Sequence, residues 1–392
     1  MARGSRFKAL GESRSFAATL VFLVLAGQAS HLSAAAQPGI AAACGNGVCD
    51  AGETKQSCPQ DCRLLLRWLR QRRERSGRAP GAAMTTEAAA LGPGDSRSSL
   101  TVDGRVRSYL LHLPAGYTPA KRYPLVLLFH GGHGSGAKIA GQTGFREYAD
   151  REGFLLACPD GIERNWSDGR GTTKAEQLGV DDVKFVRALI GALTRTFSID
   201  PARIYATGVS NGGIFSQRLG CELADVLAAI GPVVGPIASN MVPRCNPSAP
   251  ISIVAIQGTV DPFIPVQGGE EGWQTGLGGG GLVESAVATT ELWASKNGCP
   301  APRKRELPVR VEDGTRVEQT TYAPCRGGSE VVLYLVEGMG HGWPPRSPQA
   351  RRVSGPTSQN IDATQVVWEF FKAHPKPAGN PVGRGDAGGG VS

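Results

Sequence analysis

A serine, an aspartate and a histidine stand at three places in this chain where residue type, order and setting would permit acyl transfer. The serine is Ser210, within Gly208-Val209-Ser210-Asn211-Gly212. The run Arg203-Ile204-Tyr205-Ala206-Thr207 before it reads as a strand, and the residues after it read as a helix. At such a turn a serine hydroxyl projects as a nucleophile, and the flanking glycines let strand and helix pass closely. The bare pattern is weak evidence in a chain with 54 glycines among 392 residues, so its context must carry the weight. Two later segments supply that context. Ile251-Ser252-Ile253-Val254-Ala255-Ile256 is a short apolar, β-branched run that leads into Asp261, and Val331-Val332-Leu333-Tyr334-Leu335-Val336 leads into His341. Nucleophile, acid and base thus follow one another in the order Ser, Asp, His, each in a loop after a strand.

Elimination among the six histidines favours His341. His31 lies in a leader-like segment, His374 near the C-terminus and His112 in an early strand, while His130 and His133 precede the serine in a glycine loop. Among the acids between serine and histidine, Asp225 reads as a solvated helix face. Glu270 and Glu271 fall in the glycine-rich stretch 268–281, expected to be too mobile to orient an imidazole. Asp261, at a strand end, is the expected orienting acid.

The elements that must position these groups are legible as buried parallel strands. Tyr123-Pro124-Leu125-Val126-Leu127-Leu128-Phe129 is the first, and it opens into His130-Gly131-Gly132-His133-Gly134-Ser135-Gly136. A loop this rich in glycine can turn backbone amides towards a developing oxyanion. The expected donors are the N–H of Asn211, next to the nucleophile, and that of Gly131 or Gly132. No phosphate-loop pattern G-x-x-x-x-G-K-[ST] occurs.

Five segments together resemble secreted polyhydroxybutyrate depolymerase and feruloyl esterase-like proteins. They are Ile199 to Gly213, Leu128-Phe129-His130-Gly131-Gly132, Asn165-Trp166-Ser167-Asp168-Gly169-Arg170, Gln257-Gly258-Thr259-Val260-Asp261 and Gly340-His341-Gly342-Trp343-Pro344. The resemblance covers about residues 100–375. It implies an α/β-hydrolase fold, a mostly parallel central sheet with helices on both faces. It also implies carboxylic-ester hydrolysis through Ser210, Asp261 and His341, with Trp166, Trp343 and His130 bordering the substrate. No cofactor and no metal are expected.

Composition bounds the surroundings. Arg3, Arg6, Lys8 and Arg14, then an apolar run from Phe16 to Gly27, then Ala34-Ala35-Ala36 describe a secretory signal over 1–36. Removing that leader, with four basic residues and one acidic one, takes the net charge from +8 to +5. A mildly basic exported protein, extracellular or periplasmic, is expected. Neither a nucleic-acid partner nor a transmembrane segment is indicated, and the protein is expected to be a monomer. Cys44, Cys49, Cys58 and Cys62 crowd into 44–62, a small module preceding the hydrolase; without an accompanying histidine they read as two disulfides rather than a metal site. Cys221 and Cys245 flank one βα segment and Cys299 and Cys325 another, so they are expected to pair that way, leaving Cys158 as a buried strand thiol. A basic linker is expected over 63–99, a catalytic domain over 100–375 and a disordered tail over 376–392. No polymer-binding domain is expected after residue 375, which weighs against efficient erosion of crystalline polymer; the resemblance implies an ester substrate, possibly polymeric: hydroxyalkanoate oligoesters, or acyl and feruloyl esters on plant polysaccharide. Two rivals are a serine peptidase on the same fold and a noncatalytic polymer-binding or adhesion protein on a hydrolase scaffold.

Overall fold

The computed structural model describes residues 92–272, 280–346 and 351–377. The expected leader, Cys44, Cys49, Cys58 and Cys62 of the cysteine-rich module, nearly all of the basic linker and the tail beyond residue 377 lie outside the described residues.

The described chain enters its sheet through a hairpin. Strand β1 (Gly94–Val102) pairs antiparallel along its whole length with β2 (Arg105–Leu113). Between them Asp103 and Gly104 take φ of 50° and 75°, the positive pair that a two-residue hairpin turn requires. This corrects the expected boundary, because residues 94–99 belong to a sheet strand and not to a linker. Half-buried Gly94, Ser96 and Ser98 alternate with exposed Asp95, Arg97 and Ser99, as at a sheet edge, so the composition read as a spacer.

The chain continues through β3 (Tyr123–Phe129), α1 (Gly136–Thr143), α2 (Phe145–Glu152), β4 (Leu155–Pro159), α3 (Lys174–Gln177), α4 (Asp182–Thr196) and β5 (Ile199–Val209). Next come α5 (Asn211–Glu222), β6 (Ala229–Val233), β7 (Ser252–Gly258), a short hairpin of β8 (Gly269–Glu270) and β9 (Leu282–Val283), and α6 (Ala286–Asn297). The last elements are β10 (Arg303–Glu306), β11 (Arg316–Tyr322), β12 (Val331–Glu337), α7 (Arg351–Ser354) and α8 (Ala363–Ala373). The main sheet runs β1-β2-β4-β3-β5-β6-β7-β12-β11-β10. Its centre, β4-β3-β5-β6-β7-β12, is parallel throughout, and antiparallel pairs close both edges.

Burial on both faces explains the uninterrupted apolar runs of the central strands. In β3 every residue is buried, and successive side chains serve opposite layers. Leu125, Leu127 and Phe129 pack with Phe185 and Leu189 of α4, Phe215 of α5 and Trp293 of α6. Val126 and Leu128 pack with Ile139 of α1, Phe145 of α2, and Trp368 and Phe371 of α8. Because the central strands are parallel, the loops after β3, β5, β7 and β12 emerge at one edge of the sheet, where open α/β sheets carry their sites.

Two disulfides join Cys221 to Cys245 and Cys299 to Cys325, as expected, with Cα–Cα distances of 4.8 and 4.1 Å. The segment inside the second holds antiparallel strands β10 and β11 rather than a βα unit. Cys158 is a free thiol buried in β4, and that burial pushes its pKa well above the ordinary thiol range. The Cys221–Cys245 bridge ties the far end of α5 to the chain beyond β6. Replacing both of its cysteines by alanine should cost about 2–5 kcal/mol, read as a lowered midpoint of chemical denaturation. An unchanged midpoint would show that packing alone holds α5 in place.

Candidate active site

Ser210 sits between β5 and α5 with φ 57° and ψ −126°, a strained conformation for a residue with a side chain. The strain is held from both sides. Its N–H donates to the Val233 carbonyl on the neighbouring strand at 3.0 Å, and its carbonyl accepts from the Ile214 N–H at 2.9 Å. The two flanking glycines are sterically required. A Cβ on Gly208 would lie 2.6 Å from the Gly212 carbonyl carbon, and one on Gly212 would lie 2.3 Å from the Phe129 carbonyl oxygen. The sharp turn therefore depends on bare backbone passing bare backbone, with the serine left at its apex.

His341, in the loop after β12, and Asp261, in the loop after β7, meet with Nδ1 2.8 Å from Oδ2. Both are buried. The other carboxylate oxygen of Asp261 accepts the Phe263 and Ile264 N–H groups, each at 2.9 Å, which fixes the plane of the acid. A carboxylate can only accept, so the imidazole carries its proton on Nδ1 and leaves Nε2 with a free lone pair. Burial alone would lower the His341 pKa, but the Asp261 charge and hydrogen bond outweigh it, and the net shift is upward.

Ser210 and His341 line one cavity of about 300 Å³, together with the glycine loop 131–134 and Trp343. A larger hollow of about 690 Å³ lies along Thr259–Asp261 and Pro265–Glu270, with neither nucleophile nor base on its wall. The glycine loop is tightly organised. The His130 Nδ1–H donates to the Gly131 carbonyl at 2.7 Å, and its Nε2 accepts the Gly161 N–H at 3.0 Å. The Gly134 N–H reaches the same Gly131 carbonyl at 3.0 Å. These bonds fix the Gly131–Gly132 peptide plane, and a Cβ on Gly131 would lie 3.3 Å from the Ser210 Cβ. The Asn211 N–H is the first of α5, where no helical carbonyl precedes it to serve as partner.

Some expected roles change. Trp166 is fully buried, stacked on Phe215 at 5.2 Å with its Nε1–H donating to the His130 carbonyl at 2.9 Å. It cannot border a substrate; it supports the loop from beneath. His130 edges the cavity, but both ring nitrogens are spent on backbone groups, and burial lowers its pKa. Trp343 lines the cavity, but it is nearly fully buried: its ring packs edge-on against Phe145 at 5.7 Å and its Nε1–H donates to the Thr364 hydroxyl at 2.8 Å. Asp225 lies past the end of α5 rather than within it, paired with Arg187 at 2.6 Å on the surface. Glu271 is not adrift in the glycine-rich stretch, since its carboxylate lies 2.5 Å from Arg170.

One arrangement has no signal in the sequence. The Asn211 side chain accepts the Trp166 N–H at 2.8 Å and donates to Asp168 Oδ2 at 2.6 Å, and Asp168 in turn pairs with Arg170. A second buried pair, Arg107 with Asp182 at 2.6 Å, holds the same loop through the Ser167 N–H. Among the described residues no group of His, Cys, Asp or Glu is placed to hold a metal ion, and no helix is long and apolar enough to cross a membrane.

A parallel-centred sheet with helices on both faces and a serine on a strained strand-to-helix turn is the architecture of an α/β-hydrolase. Comparison with known proteins narrows this further. Residues 107–248 match the family model described as esterase PHB depolymerase. The protein named "Putative esterase NocK" from Nocardia uniformis subsp. tsuyamanensis is 30% identical over 287 residues, 69% of this chain and 81% of that protein. Feruloyl esterase B of Piromyces equi is 32% identical over 241 residues; the match takes in 60% of this chain but only 42% of that longer protein. Feruloyl esterase C of Emericella nidulans is 27% identical over 274 residues, 68% of this chain and 84% of that one. The chain belongs to the polyhydroxybutyrate depolymerase and feruloyl esterase-like family, and it is a carboxylic ester hydrolase.

Proposed function

We propose that the protein is an exported serine esterase acting through an acyl-enzyme. The Ser210 hydroxyl attacks the ester carbonyl carbon while His341 Nε2 takes its proton. The N–H groups of Asn211 and of Gly131 or Gly132 stabilise the tetrahedral oxyanion. Collapse expels the alcohol, which leaves with the proton from His341. Water then attacks the acyl-serine by the same route in reverse, and Asp261 holds the imidazole in the working tautomer throughout. The observation that carries this reading is the His341–Asp261 pair at 2.8 Å, with His341 opening onto the cavity that Ser210 also lines. Two disulfides within the hydrolase and the leader-like residues 1–36 support an oxidising compartment outside the cytoplasm.

For substrate we propose hydroxyalkanoate oligoesters or feruloyl and acetyl esters of plant polysaccharide, a reading supported by the names of the family and of its feruloyl esterase relatives. The test is a panel of p-nitrophenyl esters, methyl ferulate, acetylated xylan, hydroxybutyrate oligomers, a long-chain triglyceride and a peptide anilide. Turnover should concentrate on short or aromatic acyl esters. Rapid cleavage of the triglyceride or the anilide, with methyl ferulate and hydroxybutyrate oligomers untouched, would overturn the assignment.

A further inference from the structure

The segment Asn165–Arg170 and the chain beyond Asp261 meet in a buried charge cluster that acyl transfer itself does not use. Asp168 Oδ2 accepts from Asn211 Nδ2 at 2.6 Å and from Arg170 Nε and Nη2 at 3.0 and 2.8 Å. The remaining arm of the guanidinium, Nη1, lies 2.5 Å from Glu271 Oε2 and donates to the Gly280 carbonyl at 3.1 Å. Around it the Glu271 N–H donates to the Gly281 carbonyl at 2.9 Å and the Thr172 hydroxyl to the Gly280 carbonyl, also at 2.9 Å. Asp168, Arg170 and Glu271 are all buried. Burying two carboxylates around one cation is costly, and Glu271 Oε2 faces Arg170 as an ion pair without an aligned hydrogen bond. The grip needs a fork: a lysine ammonium at the same place could not reach in all three directions.

We propose that Arg170 is a positioning residue for the acyl-transfer machinery, aligning Asn211 beside Ser210 through Asp168 and tying Glu271 and Gly280 to the same guanidinium. This rests on the esterase reading of Ser210 and His341. One guanidinium thereby couples the donor side of the site to the base side. On the base side, the Glu271 carboxylate adds to Asp261 in raising the His341 pKa against the effect of burial. The other titratable groups around His341 are His130 and His133 of the glycine loop and Lys138 of α1, which share its cavity.

The test uses the full chain and a soluble ester, p-nitrophenyl butyrate, with Arg170→Lys and Glu271→Gln beside Ser210→Ala. Arg170→Lys should lower kcat by about tenfold or more with KM changed less than about threefold, because the lost alignment acts on the transition state. Glu271→Gln keeps shape but removes a charge that stabilises the imidazolium, so the acid limb of kcat/KM should move to lower pH. Wild-type kcat in Arg170→Lys with only a lowered Tm would make the cluster merely structural and overturn the proposal. So would a Glu271→Gln profile superimposable on wild type, which decides the matter if Arg170→Lys does not fold. Retained turnover in Ser210→Ala would overturn both this proposal and the esterase mechanism. Loss of turnover in Ser210→Ala, with the other two variants behaving as wild type, would overturn the positioning role alone.

Discussion

Ser210→Ala should lower kcat by roughly 10⁴–10⁶ while leaving the fold intact, and His341→Ala should do nearly the same. The size follows from what each group contributes. Without the hydroxyl no acyl-enzyme forms, and without the imidazole the hydroxyl keeps its proton. Because the two act in one proton transfer, the double variant should be little worse than either single one, which active-site titration with single-turnover kinetics can resolve. Alanine at position 210 meets the same strained φ of 57°, so the variant inherits the backbone cost without the chemistry. Its stability should therefore stay close to wild type, and circular dichroism with a thermal scan checks that the loss is chemical. Substantial turnover in a folded Ser210→Ala protein would move the nucleophile elsewhere.

What the sequence disclosed depended on how locally each feature is determined. The strands β3, β7 and β12 were legible because burial on both faces demands a continuous apolar run. The spacing of Ser210, Asp261 and His341 at the ends of such runs was legible for the same reason. The edge strand β1 was hidden, since half-buried serines and exposed charges look like a spacer until the partner strand is known. Trp166 shows another limit. The resemblance implied a place bordering the substrate, yet its ring packs against Phe129 and Phe215 from distant elements. Arg170 and Glu271 lie on different loops with no shared periodicity, and only the fold brings them together. Glycine content around Glu271 suggested freedom, while the ion pair and the β8–β9 hairpin supply the opposite.

Asp261→Asn should produce a loss of about 10³–10⁴ in kcat together with a change in pH dependence that no other carboxylate variant reproduces in full. Asparagine preserves the shape, and its side-chain oxygen can still accept the Phe263 and Ile264 N–H groups that now hold the acid. What changes is the group facing His341 Nδ1, 2.8 Å away. An amide NH₂ there favours the tautomer with its proton on Nε2, the nitrogen that must be free to accept from Ser210. The second consequence is electrostatic. In the wild type burial pulls the imidazole pKa down and Asp261 more than restores it, so activity should rise with pH around a midpoint above that of an ordinary histidine. Removing the carboxylate leaves burial unopposed except by Glu271, and the midpoint should fall even as the plateau collapses. Asp225→Asn and Glu270→Gln, at exposed positions, should stay within about tenfold of wild type with the midpoint unmoved. Full pH profiles of kcat/KM for the three variants decide it: near-normal turnover or an unmoved midpoint in Asp261→Asn, with one of the other two collapsing, would transfer the orienting role to that acid.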